Sequence, residues 1–436
     1  MRFNQTLHIL QSGLFGLENG KERFMALTKA GVTYVIPKKT GLAGFSKSYW
    51  QTLSVAMVLC ISAQGQPAKG ANKFLGNITT RGSVRSDFGT YWNQITPENE
   101  TKWESVERTR DQMSWNGGNA VSNYAKTAGI PWKYHTLLWG SQYPSWISGL
   151  SAADQLAEIE ELMDAAAKQF PDVNMIDVIN EAAPGHKDNP PWKAALGGNG
   201  SSGYDWILKA FVMARQRWPK AILTYNDYNN IEISSTLDWT VKLAAAAKAA
   251  NAPLDAIGIQ AHGLSGMSAA TLKSNLDKMA ATGLPLLISE FDIANNDDNA
   301  QANKIKELIP VMWQHPAVAG VTIWGYLNGA TWINGSGLLN SNGTERPSMT
   351  WLKGYVAENL NPPNNFPNLL KGGTSPIISA RPASSPLLSV ANENHRVFNL
   401  NGKALSITSA SLSGFGLVEK AGSHQRVLFS SPSANR

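Results

Sequence analysis

Short apolar runs recur along the middle of the chain, and each one stops at a polar residue before a segment with helix-like spacing. This rhythm holds from Lys73 to about Val356. A run of about four to eight apolar residues bounded by polar ones is typical of a buried strand in a parallel sheet. The eight runs are KFLGN, NQITPEN, WKYHTLLWG, MIDVINE, AILTYND, DAIGIQAH, PLLISEFD and GVTIWG.

The segments between these runs carry apolar residues at helical spacing. Helices are predicted at Ser151–Phe170, Tyr204–Trp218 and Asn303–His315, and Ser151 is a suitable N-cap. Eight strands alternating with helices over about 290 residues match the size of a closed barrel. We therefore predict an α/β fold, a (β/α)8 TIM barrel over residues 67–360, with a short C-terminal β-rich tail. An open doubly wound sheet is the alternative, but no run is followed by a glycine-rich phosphate loop.

Residues 1–66 have the features of an export leader. The run Leu53–Ala63 is a largely apolar segment of eleven residues and follows three lysines between positions 38 and 47. That length fits the apolar core of a signal peptide and is too short to span a bilayer comfortably. Small residues predict a cut near Ala63 or Gly65 and hence a secreted bacterial protein. The run begins some fifty residues along the chain, and an unusually long leader or a mis-assigned start would explain residues 1–46, which show no clear periodicity. The alternative is that Leu53–Ala63 is a buried strand of a small N-terminal element.

The composition changes again after the predicted barrel. Residues 361–390 are rich in Pro, Ser and Asn, with six prolines between 361 and 386, which is typical of a linker. Residues 391–436 are basic, and Asn401-Gly402 between two strand-like runs predicts a hairpin. A third strand is predicted at Arg426–Ser431. We expect this tail to be a sorting or attachment module that contacts the secretion machinery or the cell surface.

The net charge of +6 does not indicate a nucleic-acid partner, because the positive charge lies at the two ends. Residues 1–66 and 371–436 each contain seven Lys or Arg against two Asp or Glu, whereas the middle contains 24 against 28. The single cysteine, Cys60, allows no intramolecular disulfide, and the seven histidines lack the spacing of a zinc site. We expect a monomer with no nucleic-acid partner, metal ion or cofactor.

Polar residues collect where the predicted strands end, and in a (β/α)8 barrel these ends form the active face. Glu181 follows the fourth strand and Glu290 ends the seventh, so the two carboxylates are predicted to face each other. Glycosidic bond cleavage needs such a pair: a protonated group for the leaving oxygen and an ionised group at the anomeric carbon. The charge of Glu290 would help to keep Glu181 protonated. Taken alone, each glutamate could instead be half of a structural ion pair.

The distribution of tryptophan adds to the carbohydrate hypothesis. Fourteen of the fifteen tryptophans lie between Trp92 and Trp351. Flat aromatic faces pack against the C–H faces of sugar rings, although most of these side chains are expected in the core. Trp139, Trp324 and Trp332, at strand ends or in the loop that follows, are predicted to contact a ligand.

Seven motifs follow one another at the strand ends between Thr96 and Gly325: TPENETKW, HTLLWGSQYPSW, DVINEA, YNDYN, GIQAH, ISEFDI and TIWG. Each motif alone is weak, but the ordered set is highly specific. Together they resemble glycoside hydrolase family 10, the retaining endo-β-1,4-xylanases. The resemblance covers roughly Lys73 to Tyr355.

The resemblance implies roles for individual residues. Glu181 matches the general acid/base and Glu290 the nucleophile, with carboxyl groups about 5–5.5 Å apart. Asn180 matches the amide that binds the sugar 2-hydroxyl, and His262 matches a histidine beside the nucleophile, with Asp292 orienting it. The residues implied to line the sugar sites or to lie near the acid/base are Glu98, Asn99, Lys102, His135, Trp139, Gln142, Asn226, Tyr228, Gln260, Trp324 and Trp332.

The chain departs from the family pattern in places around the substrate site. Gly140 stands where many members have a second histidine, and Met175-Ile176 stand where many have a tryptophan. The segment Pro184–Gly203, after the implied acid/base, is long and loop-like. These departures bear on the width and preference of the substrate site and leave the reaction class unchanged.

The sequence thus predicts a secreted endo-1,4-β-xylanase that hydrolyses internal β-1,4 bonds of xylan by a retaining double displacement at two glutamates. One alternative is a related barrel β-glycanase acting on cellulose or mixed glucan, since xylose differs from glucose by one hydroxymethyl group. Another is a catalytically silent xylan-binding protein. The presence of Glu181, Glu290, Asn180 and His262 together argues against the last, because binding alone does not need that set.

Overall fold

The structure, a computed structural model, describes residues 66–370 with their side chains and, outside them, the backbone of short strands near each end of the chain. The N-terminal strands are β1 (Glu18–Asn19), β2 (Glu22–Lys29) and β3 (Val32–Pro37), which pair antiparallel in the order β1-β2-β3. They lie where the sequence showed no clear periodicity. Lys29 pairs with Val32, so only two residues, the second a glycine, join β2 to β3. That short connection was the hairpin signal.

All eight predicted runs form parallel strands of one sheet. The sheet order is β5-β4-β12-β11-β10-β9-β8-β6, and β7 also pairs with β8. A parallel bridge between Ile95 and Trp132 joins the two ends of this sheet, which confirms the (β/α)8 barrel. The strands are β4 (Phe74–Ile78), β5 (Gln94–Thr96), β6 (Lys133–Tyr134), β7 (Leu138–Trp139), β8 (Met175–Asn180), β9 (Ile222–Asp227), β10 (Ala256–Ile259), β11 (Leu286–Phe291) and β12 (Val318–Ile323).

The third predicted run differs from the others because it forms two short strands, β6 and β7, rather than one. Between them, the Thr136 hydroxyl (2.7 Å) and the backbone N–H of Leu137 (3.0 Å) both donate to the carbonyl of Asp177. These bonds keep the segment joined to β8 where regular strand pairing is interrupted.

The helices cover the outside of the barrel. Ser151 caps α4 as predicted, since its hydroxyl accepts from the backbone N–H of Asp154. The helix predicted at Asn303–His315 begins earlier, at Asp298. The prediction missed this start because the first turn is polar and carries no apolar periodicity. The helices are α1 (Phe88–Tyr91), α2 (Trp103–Val106), α3 (Asn116–Ala128), α4 (Ala152–Gln169), α5 (Asp205–Arg217), α6 (Ser234–Ala249), α7 (Ala269–Ala280), α8 (Asp298–Gln314) and α9 (Pro347–Glu358).

The residues that follow α9 close the amino-terminal end of the barrel. Leu369 is 7% exposed and packs in a buried cluster with strand residues that include Phe74 and Met175. The backbone N–H of Asn365 donates to the carbonyl of Pro316 (2.8 Å). The predicted linker of residues 361–390 therefore cannot begin at 361, because residues 361–370 are packed against the barrel. The linker prediction began too early because apolar side chains lie among the prolines of this segment and pack against the strands.

The C-terminal unit, Thr374–Arg436, contains three described strands. Strand β13 (His395–Asn399) pairs antiparallel with β14 (Ala404–Leu405) and with β15 (Gly416–Lys420). The β13–β14 pair is the hairpin predicted around Asn401-Gly402. The other predicted strand, Arg426–Ser431, and the apolar run Leu53–Ala63 lie outside the described residues. Among the helices of the described part, none has the length and apolar character needed to span a membrane.

Candidate active site

The carboxyl ends of the parallel strands β8 and β11 bring Glu181 and Glu290 to the same mouth of the barrel, where side-chain amides connect them. Asn226 Nδ2 donates to Glu290 Oε1 (2.7 Å) and to Asn180 Oδ1 (2.8 Å). Gln260 Nε2 donates to Glu181 Oε1 (3.1 Å) and more weakly to Asn180 Oδ1 (3.4 Å). The two carboxylates therefore belong to one hydrogen-bonded network.

Glu290 is buried, with 4% of its surface exposed. Burial by itself raises the pKa of a carboxyl group. Here the hydrogen bond from His262 Nε2 to Glu290 Oε2 (3.2 Å), together with the charges of His135, His262 and Lys133, outweighs burial and lowers the pKa of Glu290 to about 2. Glu290 is therefore ionised at neutral pH, which is the state that a nucleophile requires.

His262 lies between two carboxylates. Its Nδ1 donates to Asp292 Oδ2 (2.8 Å), and its Nε2 faces Glu290. Burial lowers the pKa of the imidazole, but these two hydrogen bonds outweigh it and raise the pKa of His262 to about 10. A doubly protonated ring thus keeps a positive charge beside Glu290. Asp292 also accepts from Trp332 Nε1 (2.7 Å), which places this ring, 57% exposed, 4.8 Å from that of His262.

Glu181 has a different environment. Trp139 Nε1 donates to its Oε2 (2.9 Å), and Gln260 donates to its Oε1. Burial raises the pKa of Glu181 to about 6; the hydrogen bond from Gln260 opposes this shift, and the negative charge of Glu290 adds to it. The sequence pointed to the charge of Glu290 as the cause, whereas burial is the larger one. Glu181 is therefore protonated in mildly acidic solution, as a general acid must be.

The backbone holds Glu181 in the left-handed region, with φ of 57°. This conformation costs a non-glycine residue roughly 1–3 kcal/mol and is found where the surroundings impose it, often at functional sites. Two backbone bonds impose it here. The N–H of Glu181 donates to the carbonyl of Asn226 (2.8 Å), and the carbonyl of Glu181 accepts from the N–H of Lys187 (2.8 Å).

A polar patch lies beside the two carboxylates, formed after β5 and β7. Lys102 Nζ donates to Asn99 Oδ1 (2.8 Å) and to Gln142 Oε1 (2.9 Å), and it lies 4.9 Å from the centre of the Trp139 ring. Burial lowers the pKa of Lys102, while the charges of Glu290, Glu98 and Glu181 raise it. The structure thus places the predicted residues Glu98, Asn99, Lys102, Trp139 and Gln142 around one cation.

The remaining predicted residues form other walls of the same cleft. The rings of His135 and Trp324 meet edge to face, with centres 5.3 Å apart, and Trp324 lies 6.4 Å from His262. Tyr228 lies near Glu181: burial raises the pKa of the Tyr228 hydroxyl, and the negative charges of Glu181 and Asp227 add to that shift. All the residues predicted for the site therefore lie at one end of the barrel.

The sequence reasoning missed a buried ion pair beneath the site. Lys133 Nζ lies 3.0 Å from Asp177 Oδ2, and the same oxygen accepts from His135 Nδ1 (2.9 Å). Lys133 and Asp177 are both buried. Asp177 therefore orients the His135 ring, and Lys133 balances its charge. The sequence did carry one indication of this pair: Asp177 is a charged residue inside an apolar run. It stands two positions after Met175, so both side chains point to the inside of the barrel.

Comparisons with known proteins agree with this geometry. The family model described as glycosyl hydrolase family 10 matches residues 63–355. Endo-1,4-beta-xylanase B of Cellvibrio japonicus is 47% identical over 283 residues, which are 65% of this chain and 45% of that protein. The chain thus spans less than half the length of this relative. Endo-1,4-beta-xylanase A of Phanerodontia chrysosporium is 29% identical over 61% of this chain and 68% of its own length.

A solved structure shares the barrel. Native xylanase 10B of Thermotoga maritima aligns with a TM-score of 0.60 and 25% identity, covering 67% of this chain and 98% of its own. The matched range contains the whole hydrogen-bonded network of Glu181 and Glu290. This chain belongs to glycosyl hydrolase family 10.

Proposed function

We propose that this protein is an endo-1,4-β-xylanase that hydrolyses internal β-1,4 bonds of xylan with retention of configuration. The observation that carries the proposal is the difference between two glutamates of one network, with pKa values of about 6 for Glu181 and about 2 for Glu290. At a pH between these two values, Glu181 is protonated and Glu290 is ionised, as retaining hydrolysis of a glycosidic bond requires. The names of the family-10 relatives support xylan as the substrate.

In the proposed first step, a carboxylate oxygen of Glu290 forms a bond to the anomeric carbon while the bond from that carbon to the leaving oxygen breaks. Glu181 gives its proton to the leaving oxygen. In the second step, water loses a proton to the Glu181 carboxylate and attacks the anomeric carbon, which releases Glu290. Both residues return to their starting states, and the two inversions give net retention.

The neighbouring residues support these steps. Asn180 Oδ1 accepts from Asn226 and Gln260, so its Nδ2, which has no partner within residues 66–370, is left to donate to the sugar 2-hydroxyl. That bond would strengthen as charge develops at the anomeric carbon. The cation of Lys102, held by Asn99 and Gln142, would bind hydroxyl groups of the sugar on the non-leaving side.

The pH dependence follows from the two pKa values. Activity requires Glu290 ionised, so kcat/KM falls as the pH drops through about 2, and it requires Glu181 protonated, so kcat/KM falls as the pH rises through about 6. We expect a bell-shaped profile for soluble xylo-oligosaccharides with its maximum near pH 4, at about the midpoint of the two values. Initial rates from pH 2 to 9, with circular dichroism to establish that the protein is folded, measure it. An optimum above pH 8 would contradict the assignment of Glu181.

Substrate choice is tested by reducing-sugar release from purified xylan and from carboxymethyl cellulose. We expect the protein to prefer xylan by at least about tenfold in kcat/KM, since rejecting one hydroxymethyl group in a closed pocket is worth about 1–3 kcal/mol. A preference for cellulose would identify a β-glucanase on the same barrel. Binding to xylan without release of sugar would identify a silent binding protein.

We also propose that the protein is secreted, with residues 1–66 acting as the export leader. The apolar run Leu53–Ala63 and the lysines before it support this proposal. Mass spectrometry of the N-terminus of protein recovered from the culture medium tests it. An N-terminus at Met1 in that fraction would contradict cleavage near Ala63.

A further inference from the structure

The segment that follows Glu181 is seated against the neighbouring strand end. A Cβ atom placed on Gly140, just after β7, would lie 2.2 Å from the carbonyl oxygen of Lys187, closer than any contact permits. The loop is also held by the backbone bonds from Lys187 N–H to the Glu181 carbonyl (2.8 Å) and from His186 N–H to the Ala183 carbonyl (2.9 Å). Residues 183–187 are therefore fixed at the rim of the cleft, next to the acid/base.

This loop stacks His186 on Tyr228. The two ring centres are 3.7 Å apart and the planes differ by 13°. His186 Nδ1 lies 2.7 Å from Asp227 Oδ1, and Asp227 is fully buried. The same carboxylate accepts from the backbone N–H groups of Ala183 (3.0 Å) and Tyr228 (2.9 Å) and from the Tyr225 hydroxyl. Because the carboxylate accepts, the His186 hydrogen lies on Nδ1, and the orientation of the ring is fixed.

The outer edge of this stacked pair is free to bind. Within residues 66–370, neither Nε2 of His186 nor the hydroxyl of Tyr228 has a hydrogen-bond partner; the His186 side chain is 9% exposed, and Tyr228 is half-buried. With its hydrogen on Nδ1, His186 presents Nε2 as an acceptor. Because the two rings cover each other's inner faces, the pair offers ring edges that carry an acceptor and a hydroxyl, and these suit the hydroxyl groups of a pyranose ring.

The stacked pair and the cation of Lys102 lie on opposite flanks of Glu181. Lys102 and its partners Asn99 and Gln142 follow β5 and β7, whereas His186 and Tyr228 follow β8 and β9. In the proposed function Glu181 protonates the leaving oxygen, so it marks the boundary between the two halves of the substrate. The flank of His186 is then the side of the leaving sugar.

We propose that His186 is a specificity residue for the leaving-side sugar, which packs on the His186–Tyr228 pair and donates a hydroxyl hydrogen to His186 Nε2. This inference rests on the proposed function. If the His186–Tyr228 pair binds the leaving sugar, it also binds an incoming acceptor sugar, and that sugar competes with water for the glycosyl-enzyme. His186 therefore favours transfer to sugar over hydrolysis, as well as cleavage of longer chains.

The test compares xylotetraose, which places sugars on both sides of Glu181, with β-xylobiosyl fluoride, whose leaving group is a single atom. In His186→Ala we expect the ratio of kcat/KM for xylotetraose to that for the fluoride to fall about tenfold, the loss of one aromatic contact and one hydrogen bond. The fraction of transfer products at high xylotetraose concentration should fall with it. Asn189→Ala, an exposed change in the same loop, is the matched control.

An unchanged ratio in His186→Ala, whether from no loss or from equal losses on the two substrates, would overturn this inference alone. A wild-type protein inactive on both substrates would overturn it together with the proposed function. If His186→Ala does not fold, His186→Phe carries the test, because it keeps the stacked ring and removes the acceptor. For that variant we expect the ratio to fall about threefold, the loss of a single hydrogen bond, and an unchanged ratio would overturn the assignment of Nε2.

Discussion

Replacing Glu290 by alanine is expected to lower kcat/KM on xylan by about 10⁵-fold, because the variant has no group that can attack the anomeric carbon. The site offers no substitute in that position, since the groups that contact the Glu290 carboxylate are donors, His262 Nε2 and Asn226 Nδ2. Reducing-sugar release measures the loss. Glu160→Ala, an exposed glutamate on α4, is the control and should stay within about twofold, as surface changes do.

Azide distinguishes loss of the nucleophile from loss of the fold. A small anion can enter the space left by the Glu290 side chain and attack from the same face. Adding azide to Glu290→Ala with an activated aryl xylobioside should therefore restore turnover and give a xylobiosyl azide of inverted configuration. Nuclear magnetic resonance of the product assigns the configuration. A retained azide from this variant would mean that Glu290 and Glu181 have exchanged roles.

The positions of these two glutamates could be predicted from the sequence because parallel strands of a barrel all end at one face. Once eight apolar runs were found, any polar residue that closed a run had to lie at the same mouth. Glu181 and Glu290, 109 residues apart in the chain, share a network for that reason alone. Strand direction thus carried most of the long-range information.

Properties set by packing could not be predicted in the same way. The sequence cannot say how much water reaches Glu181, so the charge of Glu290 was taken as the reason for its protonation, although burial is the larger cause. The contact of Leu369 with the end of the barrel depends on where a proline-rich segment turns. The ion pair of Lys133 with Asp177 requires the register of two strands, which an apolar pattern leaves open.

The stacking of His186 on Tyr228 is another packing property that could not be predicted from the sequence. The sequence showed a long loop after Glu181 and a glycine at position 140, but nothing in the pattern linked the two. Only the folded chain places the carbonyl of Lys187 where a side chain at position 140 would stand. Departures from a family pattern that look separate in the sequence can therefore be one structural change.

Replacing Glu181 by alanine is expected to have an effect that depends on the leaving group. On xylan, whose leaving alkoxide needs a proton, kcat/KM should fall about 10³-fold, within the range for loss of a general acid. On an aryl xylobioside with an acidic phenol, the first step needs no proton, so its rate constant should fall less than about tenfold. The second step still lacks its base, and glycosyl-enzyme should accumulate. A burst of phenol followed by slow turnover measures this difference.

Azide again separates the two roles, now with the opposite stereochemistry. In Glu181→Ala the anion would occupy the site of the missing base and attack the xylobiosyl group bound to Glu290, giving a xylobiosyl azide of retained configuration and freeing the Glu290 carboxylate. Equal losses on xylan and on the activated substrate would show that Glu181 is not the acid. Glu181→Gln keeps the length of the side chain but has a single side-chain oxygen, which can accept from Trp139 or from Gln260 and not from both. It should show the same dependence on leaving group if the lost proton, rather than a lost contact, is the cause.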